Sequence, residues 1–236
     1  MMLGKERNRP PGLDGMKGSY LGPEYSQRDI EDRLRAAGAV FKTVDDEQLI
    51  ELTSQALANG KAVGWHQGRM EFGPRALGGR SIIADPRSTA MQKQLNLKVK
   101  YRESFRPFAP SVLRERVAEY FDLDDDSPYM LLVADVVAAR RKETTPEQSG
   151  LFGIDRLNVP RSDIPAVTHV DYSARVQTVH RETNPRYHAL IEAFEGLTGC
   201  AVVVNTSFNV RGEPIVGSPE DAFRCFMGTE IECLAV

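Results

Sequence analysis

Features that often identify a function at once are scarce in this chain of 236 residues. Its three cysteines are too few and too dispersed for a disulfide framework, which favours a reducing compartment, the cytoplasm. Its four histidines show neither HxxxH nor HExxH spacing, so the sequence predicts no protein-built metal site. No apolar run approaches the ~18 residues that span a bilayer, and the first residues lack the apolar region of a secretory signal. We therefore expect no membrane segment.

The chain also lacks internal repeats and the two common phosphate-binding fingerprints, GxxxxGK(S/T) and GxGxxG. Its apolar fraction of 41% and charged fraction of 27% are ordinary for a globular protein, and its net charge is −3. The length allows one large α/β domain or two small ones. We interpret residues 1–19 as a flexible leader.

Positive charge is concentrated between residues 61 and 106, where ten Lys or Arg residues stand against three acidic ones, for a local charge of +7. Glycines, prolines and aromatic residues are interleaved with these cations. Arginine is the usual residue for phosphate because its planar guanidinium makes two parallel charge-assisted hydrogen bonds. The stretch therefore predicts a binding site for an anion.

Segments typical of strands alternate with segments typical of helices, which predicts an α/β open sheet with ligand groups on loops at strand ends. Pro74 is expected to begin a short helix, and Ser88 to cap the helix that follows it. Residues 127–138, the longest apolar run, are expected to form a central strand, and residues 140–163 a long surface excursion. The chain stops inside its last predicted strand, which suggests a piece of a longer protein.

The first candidate site is the glycine-rich segment at residues 68–81. Its four glycines, Gly73 among them, would let the backbone approach a ligand, and a helix beginning at Pro74 would offer free N–H groups. Three arginines add positive charge. They are Arg69, Arg75 and Arg80. A tight turn between a strand and a helix, with solvated arginines, is the alternative.

The second candidate site is the basic segment KVKYRESFRPF. If it is extended, Lys98, Lys100 and Arg102 lie on one side, with Arg106 further along. A solvated basic edge strand would have the same pattern. Arg175 lies on a later predicted strand and is a weaker candidate.

The third candidate site consists of short hydrogen-bonding side chains directly after a predicted buried strand, where α/β proteins place ligand contacts. Ordinary Asx and Ser/Thr turns use the same residue types, so both interpretations stay open. The residues concerned are Asn205, Thr206, Ser207 and Asn209.

Four segments resemble, in order, the C-terminal region of the O-carbamoyltransferases related to the nodulation and antibiotic-tailoring enzymes. They are GRMEFGPRALGGRSI, KYRESFRPFAPSV, VTHVDYSARVQTV and NTSFNVRGEPIV. The resemblance covers residues 20–236. It implies one YrdC-like domain there, with a twisted, mostly open, mixed α/β sheet flanked by helices and a positively charged cavity. In that family an N-terminal Kae1-like transfer domain normally lies on the same polypeptide, and this sequence shows nothing similar to it.

The resemblance implies ATP, with its Mg²⁺, and carbamoyl phosphate as ligands, and carbamoyl adenylate as the activated product. The Kae1-like domain would then transfer the carbamoyl group to an acceptor hydroxyl. Carried over motif by motif, the resemblance implies catalytic roles for Arg75, Lys100, Arg106, Arg175 and Ser207. It also implies that substrate or ATP is bound by Arg69, Gly73, Arg80, Asn205, Thr206 and Asn209. The chain departs from the family pattern at Tyr172, where glycine is usual, and a tyrosine there would narrow the approach to Arg175.

Two rival functions remain open on the sequence. One is a non-catalytic module that binds nucleotide or another polyanion, and the other is a YrdC-like RNA-binding domain. A net charge of −3 gives little long-range attraction for nucleic acid, and the aromatic residues do not alternate with the cations as a stacking platform would. Nucleic acid is therefore the weaker hypothesis, and carbamoyl activation is the primary one.

Overall fold

Seven strands form one mixed sheet in the computed structural model, which describes residues 15–143, 145–157 and 159–236. The strands are β1 (Val63–His66), β2 (Arg80–Ala84), β3 (Ala109–Leu113), β4 (Leu132–Asp135), β5 (Ser173–Val179), β6 (Val202–Ser207) and β7 (Cys233–Ala235). Their order is β4-β5-β3-β6-β2-β1-β7. The β1–β7 and β3–β5 pairs are parallel and the other neighbours antiparallel. The predicted α/β fold with an open mixed sheet is confirmed.

Helices pack around this sheet. They are α1 (Gln27–Ala36), α2 (Asp46–Ala58), α3 (Met91–Lys98), α4 (Val117–Tyr120), α5 (Pro146–Ser149), α6 (Gly153–Leu157), α7 (Pro185–Thr198) and α8 (Pro219–Met227). Helix α7 packs against α2, β3 and β6, and α8 packs against α1, β1 and β7. The core is densest along β6, where Val202, Val203 and Val204 are fully buried. Within the described residues, no helix is both long and apolar enough to cross a membrane.

Side-chain caps begin some of these helices but not others. Ser26 and Asp29 form a reciprocal capping box at the start of α1. The predicted cap at Ser88 is wrong, because α3 begins at Met91 without a side-chain cap. Residues 88–90 instead form a turn in which the Ser88 carbonyl accepts the Met91 N–H at 3.3 Å.

The longest apolar run is not a central strand, and that prediction is also wrong. Only β4 within it is extended, and β4 lies at the edge of the sheet with Val133 61% exposed. A turn precedes it, in which the Met130 N–H donates to the Ser127 carbonyl and Met130 has a φ of +54°. A non-glycine residue in the left-handed region interrupts extended backbone, so the run is split at this point.

Residues 140–163 form a polar excursion, as predicted. Its described part contains the short helices α5 and α6 and an isolated bridge between Arg141 and Ser162, and it is mostly exposed to solvent.

The glycine-rich segment does not begin a helix at Pro74, contrary to the prediction. Its free N–H groups are taken by the buried carboxylate of Glu71, which accepts hydrogen bonds from Leu77, from Gly79 at 3.1 Å and from Arg80 at 3.3 Å. Because these donors bind a carboxylate of the chain itself, the segment forms an irregular loop around Glu71 instead of a helix.

The residues before α1 pack against this loop. Lys17–Ser19 form a single 3₁₀ turn, and Ser19 is buried with its Oγ donating to the Phe72 carbonyl at 2.9 Å. Tyr20 donates through its hydroxyl to the Leu77 carbonyl at 2.7 Å. Of the predicted leader, residues 1–14 lie outside the described residues, whereas residues 17–19 belong to the packed structure.

Arg80 ties several loops together and is not a supporting cation of a ligand site. Its side chain is fully buried, and its guanidinium donates to backbone carbonyls. Its acceptors are the carbonyls of Pro23, Gln67, Gly68, Gly79 and Gly217, at 3.0 to 3.4 Å. Burial lowers the pKa of Arg80, and the nearby Glu71 opposes that effect. The physical reason for the correction is that these carbonyls use the donors that a ligand would need.

We expect Arg80→Lys to lower the free energy of unfolding by about 3 kcal/mol, because a single ammonium cannot reach carbonyls on separate loops. Arg69→Lys is the matched control. Arg69 is half-exposed and pairs with Glu24 at 3.0 Å, so its replacement should cost about 1 kcal/mol or less. Urea unfolding of both variants measures the difference, and equal losses would contradict the anchoring role of Arg80.

Candidate functional site

Two adjoining cavities lie where β6 ends, beside the loops that precede β2 and β3. The larger has a volume of about 380 Å³ and the smaller about 270 Å³. We call the two together the cationic cleft. Both cavities are lined by Arg102, Arg106, Thr206 and Ser207.

The cleft brings together cations from four separate parts of the chain. Arg75 and Arg175 line the larger cavity with the two shared arginines, and Lys100 and Arg211 line the smaller one. No carboxylate lines the larger cavity among the residues described, and Glu103 lies in the smaller one. Each of these six cations also lacks an ion-pair partner within the described chain, whereas many other arginines, such as Arg69, have one. Their charges are therefore available to a bound anion.

A buried network of amides and a hydroxyl supports the loop that carries Arg75. Asn205 donates through Nδ2 to the Ala76 carbonyl at 3.1 Å, and Gln177 donates through Nε2 to the Leu77 carbonyl at 2.8 Å. The Gln177 Oε1 accepts from Asn205 at 2.8 Å and from Ser111 at 2.6 Å. The cavity floor and the Arg75 loop are therefore one connected unit, because each buried amide also fixes its neighbour.

Lys100 is held by oxygens that carry no full charge. Its Nζ donates to the Ser207 carbonyl, to Ser207 Oγ at 3.2 Å, and to the carbonyl and Oδ1 of Asn209 at 2.9 and 2.8 Å. Burial, with a further contribution from Arg102, lowers the pKa of Lys100 to about 7. The ammonium is thus positioned beside Ser207 and Asn209 and is close to its titration point at neutral pH.

The loop between Lys100 and Arg106 is not extended, so the predicted alternation does not apply. Asn96 of α3 is fully buried and donates to the carbonyls of Ser104 and Arg106, at 3.1 and 2.7 Å. Its Oδ1 accepts from Arg102 Nε at 2.6 Å. Burial and the charge of Arg106 lower the pKa of Arg102 to about 10.

Lys98 lies outside the cleft. It ends α3 at the surface and forms an ion pair with Glu230, so the prediction that it shares one side with Lys100 is wrong.

Arg175 reaches the larger cavity from β5, at the position paired with Val133 of β4. Its Nη2 contacts Met130 Sδ at 3.7 Å, and its buried Nε has no hydrogen-bond partner in the described chain. Burial lowers the pKa of Arg175, and the charge of Arg75 lowers it further. An unpaired buried donor beside a second arginine is a favourable place for an anionic ligand.

Three of the residues predicted to bind ligand are placed elsewhere. Arg69 donates to the Gly22 carbonyl and pairs with Glu24, and Arg80 is the buried anchor described above. Gly73 has a φ of +140° and belongs to neither cavity lining.

Tyr172 does not narrow the approach to Arg175, which corrects that expectation. Its ring lies near the Arg141 guanidinium, with 5.1 Å between the two, and lines a separate cavity of about 410 Å³. Its φ is +67°, in the left-handed region where glycine has no steric penalty. The left-handed backbone at residue 172, and not access to the cleft, is therefore the physical reason why glycine would be favoured at this position.

Two residues of the cleft that can contact a ligand were not singled out from the sequence. They are Arg211 in the smaller cavity and His169 in the larger one. The signal that could have identified them is their position in the segments that carry the resemblance, since Arg211 lies two residues after Asn209 and His169 six residues before Arg175. Arg102, which belongs to the second candidate site, lines both cavities.

Comparison with known proteins agrees with the resemblance that the four sequence segments show to the carbamoyltransferases. Residues 54–236 match the family model described as the carbamoyltransferase C-terminus. The chain is 63% identical over 225 residues to an uncharacterized protein of Synechocystis sp., covering 94% of this chain and 37% of that protein. It is 39% identical over 237 residues to the nodulation protein NolO of Bradyrhizobium diazoefficiens, covering 100% of this chain and 40% of the relative.

A third relative is the 3'-hydroxymethylcephem-O-carbamoyltransferase of Streptomyces clavuligerus, 39% identical over 183 residues, covering 78% of this chain and 31% of the relative. Among solved structures, full-length HypF in its phosphate- and nucleotide-bound form superposes with a TM-score of 0.48 at 16% identity, covering 79% of this chain and 24% of HypF. The chain thus spans less than half the length of these relatives. The family match over residues 54–236 shows that the chain belongs to the carbamoyltransferase family and corresponds to its C-terminal region.

Proposed function

We propose that the cationic cleft binds ATP and carbamoyl phosphate and forms carbamoyl adenylate. The observation that carries this proposal is the convergence of six cations, all without an ion-pair partner in the described chain, on one cleft whose larger cavity has no carboxylate in its described lining. Both ligands are polyanions, and such a cleft offsets their mutual repulsion. Membership of the carbamoyltransferase family supports the choice of the carbamoyl group as the one that is activated.

The proposed reaction has two balanced steps. Water cleaves carbamoyl phosphate to carbamate and inorganic phosphate. A carbamate oxygen then forms a bond to the α-phosphorus of ATP, and the bond from that phosphorus to pyrophosphate breaks. Negative charge increases on the α-phosphate as the new bond forms, so preorganised cations that contact it lower the barrier.

Each side chain has a role that follows from its place in the cleft. Arg75 and Arg106 contact the phosphates of the two substrates, because they are exposed at the cavity walls. Arg175 contacts the α-phosphate. Ser207 and Asn209 orient the carbamoyl or adenylate portion next to Lys100. Positioning and electrostatics supply most of the rate acceleration in this scheme.

Mg²⁺ enters with ATP in this proposal. No group of three or more His, Cys, Asp or Glu that suits a metal ion is found among the described residues, and the larger cavity has hydroxyl and amide oxygens but no carboxylate in its described lining. This donor set fits a magnesium ion that keeps phosphate oxygens and water as its ligands. When bound, the ion would neutralise part of the charge of the phosphate groups.

We infer that transfer of the carbamoyl group occurs in a separate Kae1-like domain, since the chain spans less than half the length of these relatives. The name of the cephem relative describes transfer to a hydroxyl oxygen, and we infer the same class of acceptor for this protein. The three cysteines are all unpaired, which fits a reducing cytoplasmic setting for the reaction.

Arg75→Ala should reduce carbamoyl-phosphate-dependent exchange between ATP and pyrophosphate by about 100-fold or more, since it removes one preorganised cation from the transition state. Arg69→Ala, in the same glycine-rich segment but paired with Glu24 outside the cleft, should leave exchange close to that of the unaltered chain. Full exchange in the Arg75→Ala protein would remove Arg75 from the site. ATP binding without any exchange in the unaltered chain would instead favour a non-catalytic nucleotide-binding module.

At pH 8, Lys100 should take up about one proton when ATP binds. The reason is that its pKa is lowered to about 7 in the free protein and that a neighbouring anion favours the charged form. For the same reason, affinity for ATP should fall as the pH rises from 7 to 9. Calorimetry in two buffers of different ionisation enthalpy measures the proton uptake. Lys100→Met is the control, since ATP contributes equally in both proteins, and undiminished uptake in that variant would contradict the assignment.

A further inference from the structure

His169 lies between the larger cavity of the cationic cleft and a neighbouring cavity of about 610 Å³, and lines both. Its ring is half-buried. It is also the one titratable side chain in the described lining of the larger cavity that is not an arginine. Its protonation state therefore decides whether this ring can accept a hydrogen bond from a ligand in either cavity.

A chain of hydrogen bonds sets the tautomer of His169. Asp171 Oδ1 accepts from the Ser173 hydroxyl at 2.7 Å and from the Ser173 N–H at 3.1 Å, and these bonds lower the pKa of Asp171. Asp171 is therefore a carboxylate, which can only accept. The Ser173 hydroxyl hydrogen points to Asp171, so Ser173 Oγ must accept the bond of 3.0 Å that joins it to His169 Nδ1. Nδ1 thus carries the proton, and Nε2 has a free lone pair.

The surroundings keep this ring neutral. Burial lowers the pKa of His169, and the positive charge of Arg175 lowers it further, while Asp171 acts in the opposite direction. No donor to Nε2 is found in the described part of the chain. The lone pair of Nε2 therefore has no partner in the described chain and is available to a ligand in one of the two cavities that His169 lines.

The charged side chains in the rest of that cavity favour acceptor ligands, because all four of them are arginines. Asn205, Thr206 and Ser207 are uncharged members of the lining, and Asn205 Oδ1 is a buried acceptor without a partner in the described chain. The phosphate and carbonyl oxygens of carbamoyl phosphate fit these donors, but the oxygens of acetyl phosphate fit them equally well. The two molecules differ in the amino group of the first, which donates two hydrogen bonds, and the methyl group of the second, which donates none. A site built to accept an N–H rejects an analogue that lacks it.

We propose that His169 Nε2 accepts a hydrogen bond from the amino group of the carbamoyl ligand, and so makes the cleft select carbamoyl phosphate over acyl phosphates. This inference rests on the proposed function, because it specifies what the same cleft binds. Asp171 and Ser173 are positioning residues in this arrangement, since they act through the imidazole.

The test compares binding of carbamoyl phosphate, acetyl phosphate and inorganic phosphate to the whole chain by calorimetry. In His169→Asn the amide nitrogen occupies the place of Nδ1 and can still donate to Ser173, but nothing replaces Nε2. We expect this variant to bind carbamoyl phosphate about tenfold more weakly, with the affinities for the other two ligands unchanged. His169→Gln returns an oxygen near the place of Nε2 and should recover part of the loss. His180→Asn, outside both cavity linings, should change none of the three affinities.

Nitrogen-15 NMR of histidine-labelled protein tests the tautomer independently. The signals of His169 are those missing in His169→Asn, and we expect them to report a neutral ring protonated at Nδ1 at pH 7. Ser173→Ala should shift the ring towards the Nε2-protonated form and weaken carbamoyl phosphate binding alone. A ring protonated at Nε2 in the unaltered chain, or equal weakening of all three ligands in His169→Asn, would overturn the proposal.

The outcomes also separate this inference from the proposed function. Selective binding of carbamoyl phosphate through His169, without carbamoyl-phosphate-dependent exchange of ATP and pyrophosphate, would support the role of His169 and contradict adenylate formation. Exchange in the unaltered chain, together with unchanged selectivity in His169→Asn, would overturn the role of His169 alone.

Discussion

Repulsion between cations is the constraint on which the rest of the cleft depends. Arg75 contributes to the lowered pKa of Arg175, Arg106 to that of Arg102, and Arg102 to that of Lys100. A carboxylate placed between them would relieve the repulsion but would also cancel the attraction for an anion. The chain instead holds Lys100 and Arg102 with carbonyl, amide and hydroxyl oxygens, which fix their positions without adding a negative charge.

This arrangement depends on supports that lie behind the cleft. Asn96 determines the conformation of the loop between Lys100 and Arg106, and Asn205 with Gln177 holds the carbonyls next to Arg75. Glu71 accepts hydrogen bonds from the backbone N–H groups that a glycine-rich loop would otherwise offer to a phosphate. The loop consequently contributes a charged side chain to the cleft, and its own backbone donors are satisfied internally.

The supporting structure extends beyond the residues that define the family. The family model matches residues 54–236, yet the segment that contains Ser19 and Tyr20 contacts the glycine-rich loop at Phe72 and Leu77. Tyr20 and Gln177 donate to the same Leu77 carbonyl, so the early segment is coupled to the floor of the cavity. The unit that positions Arg75 therefore begins well before residue 54.

The amino-acid sequence alone determined the α/β class, the positions of most helices and strands, and the concentration of cations in one stretch. These properties follow from local polarity patterns, capping residues and charge, all of which can be read over a few neighbouring residues. Only the tertiary structure decided which cations face the cleft and which are bound by other groups of the chain. Arg75 and Arg80 are five residues apart in one motif, but Arg80 meets carbonyls of Pro23 and Gly217 and is buried, while Arg75 faces a cavity. The turn at Met130, the positive φ of Tyr172 and the proton on His169 likewise depend on partners or backbone conformations that no short window of sequence specifies.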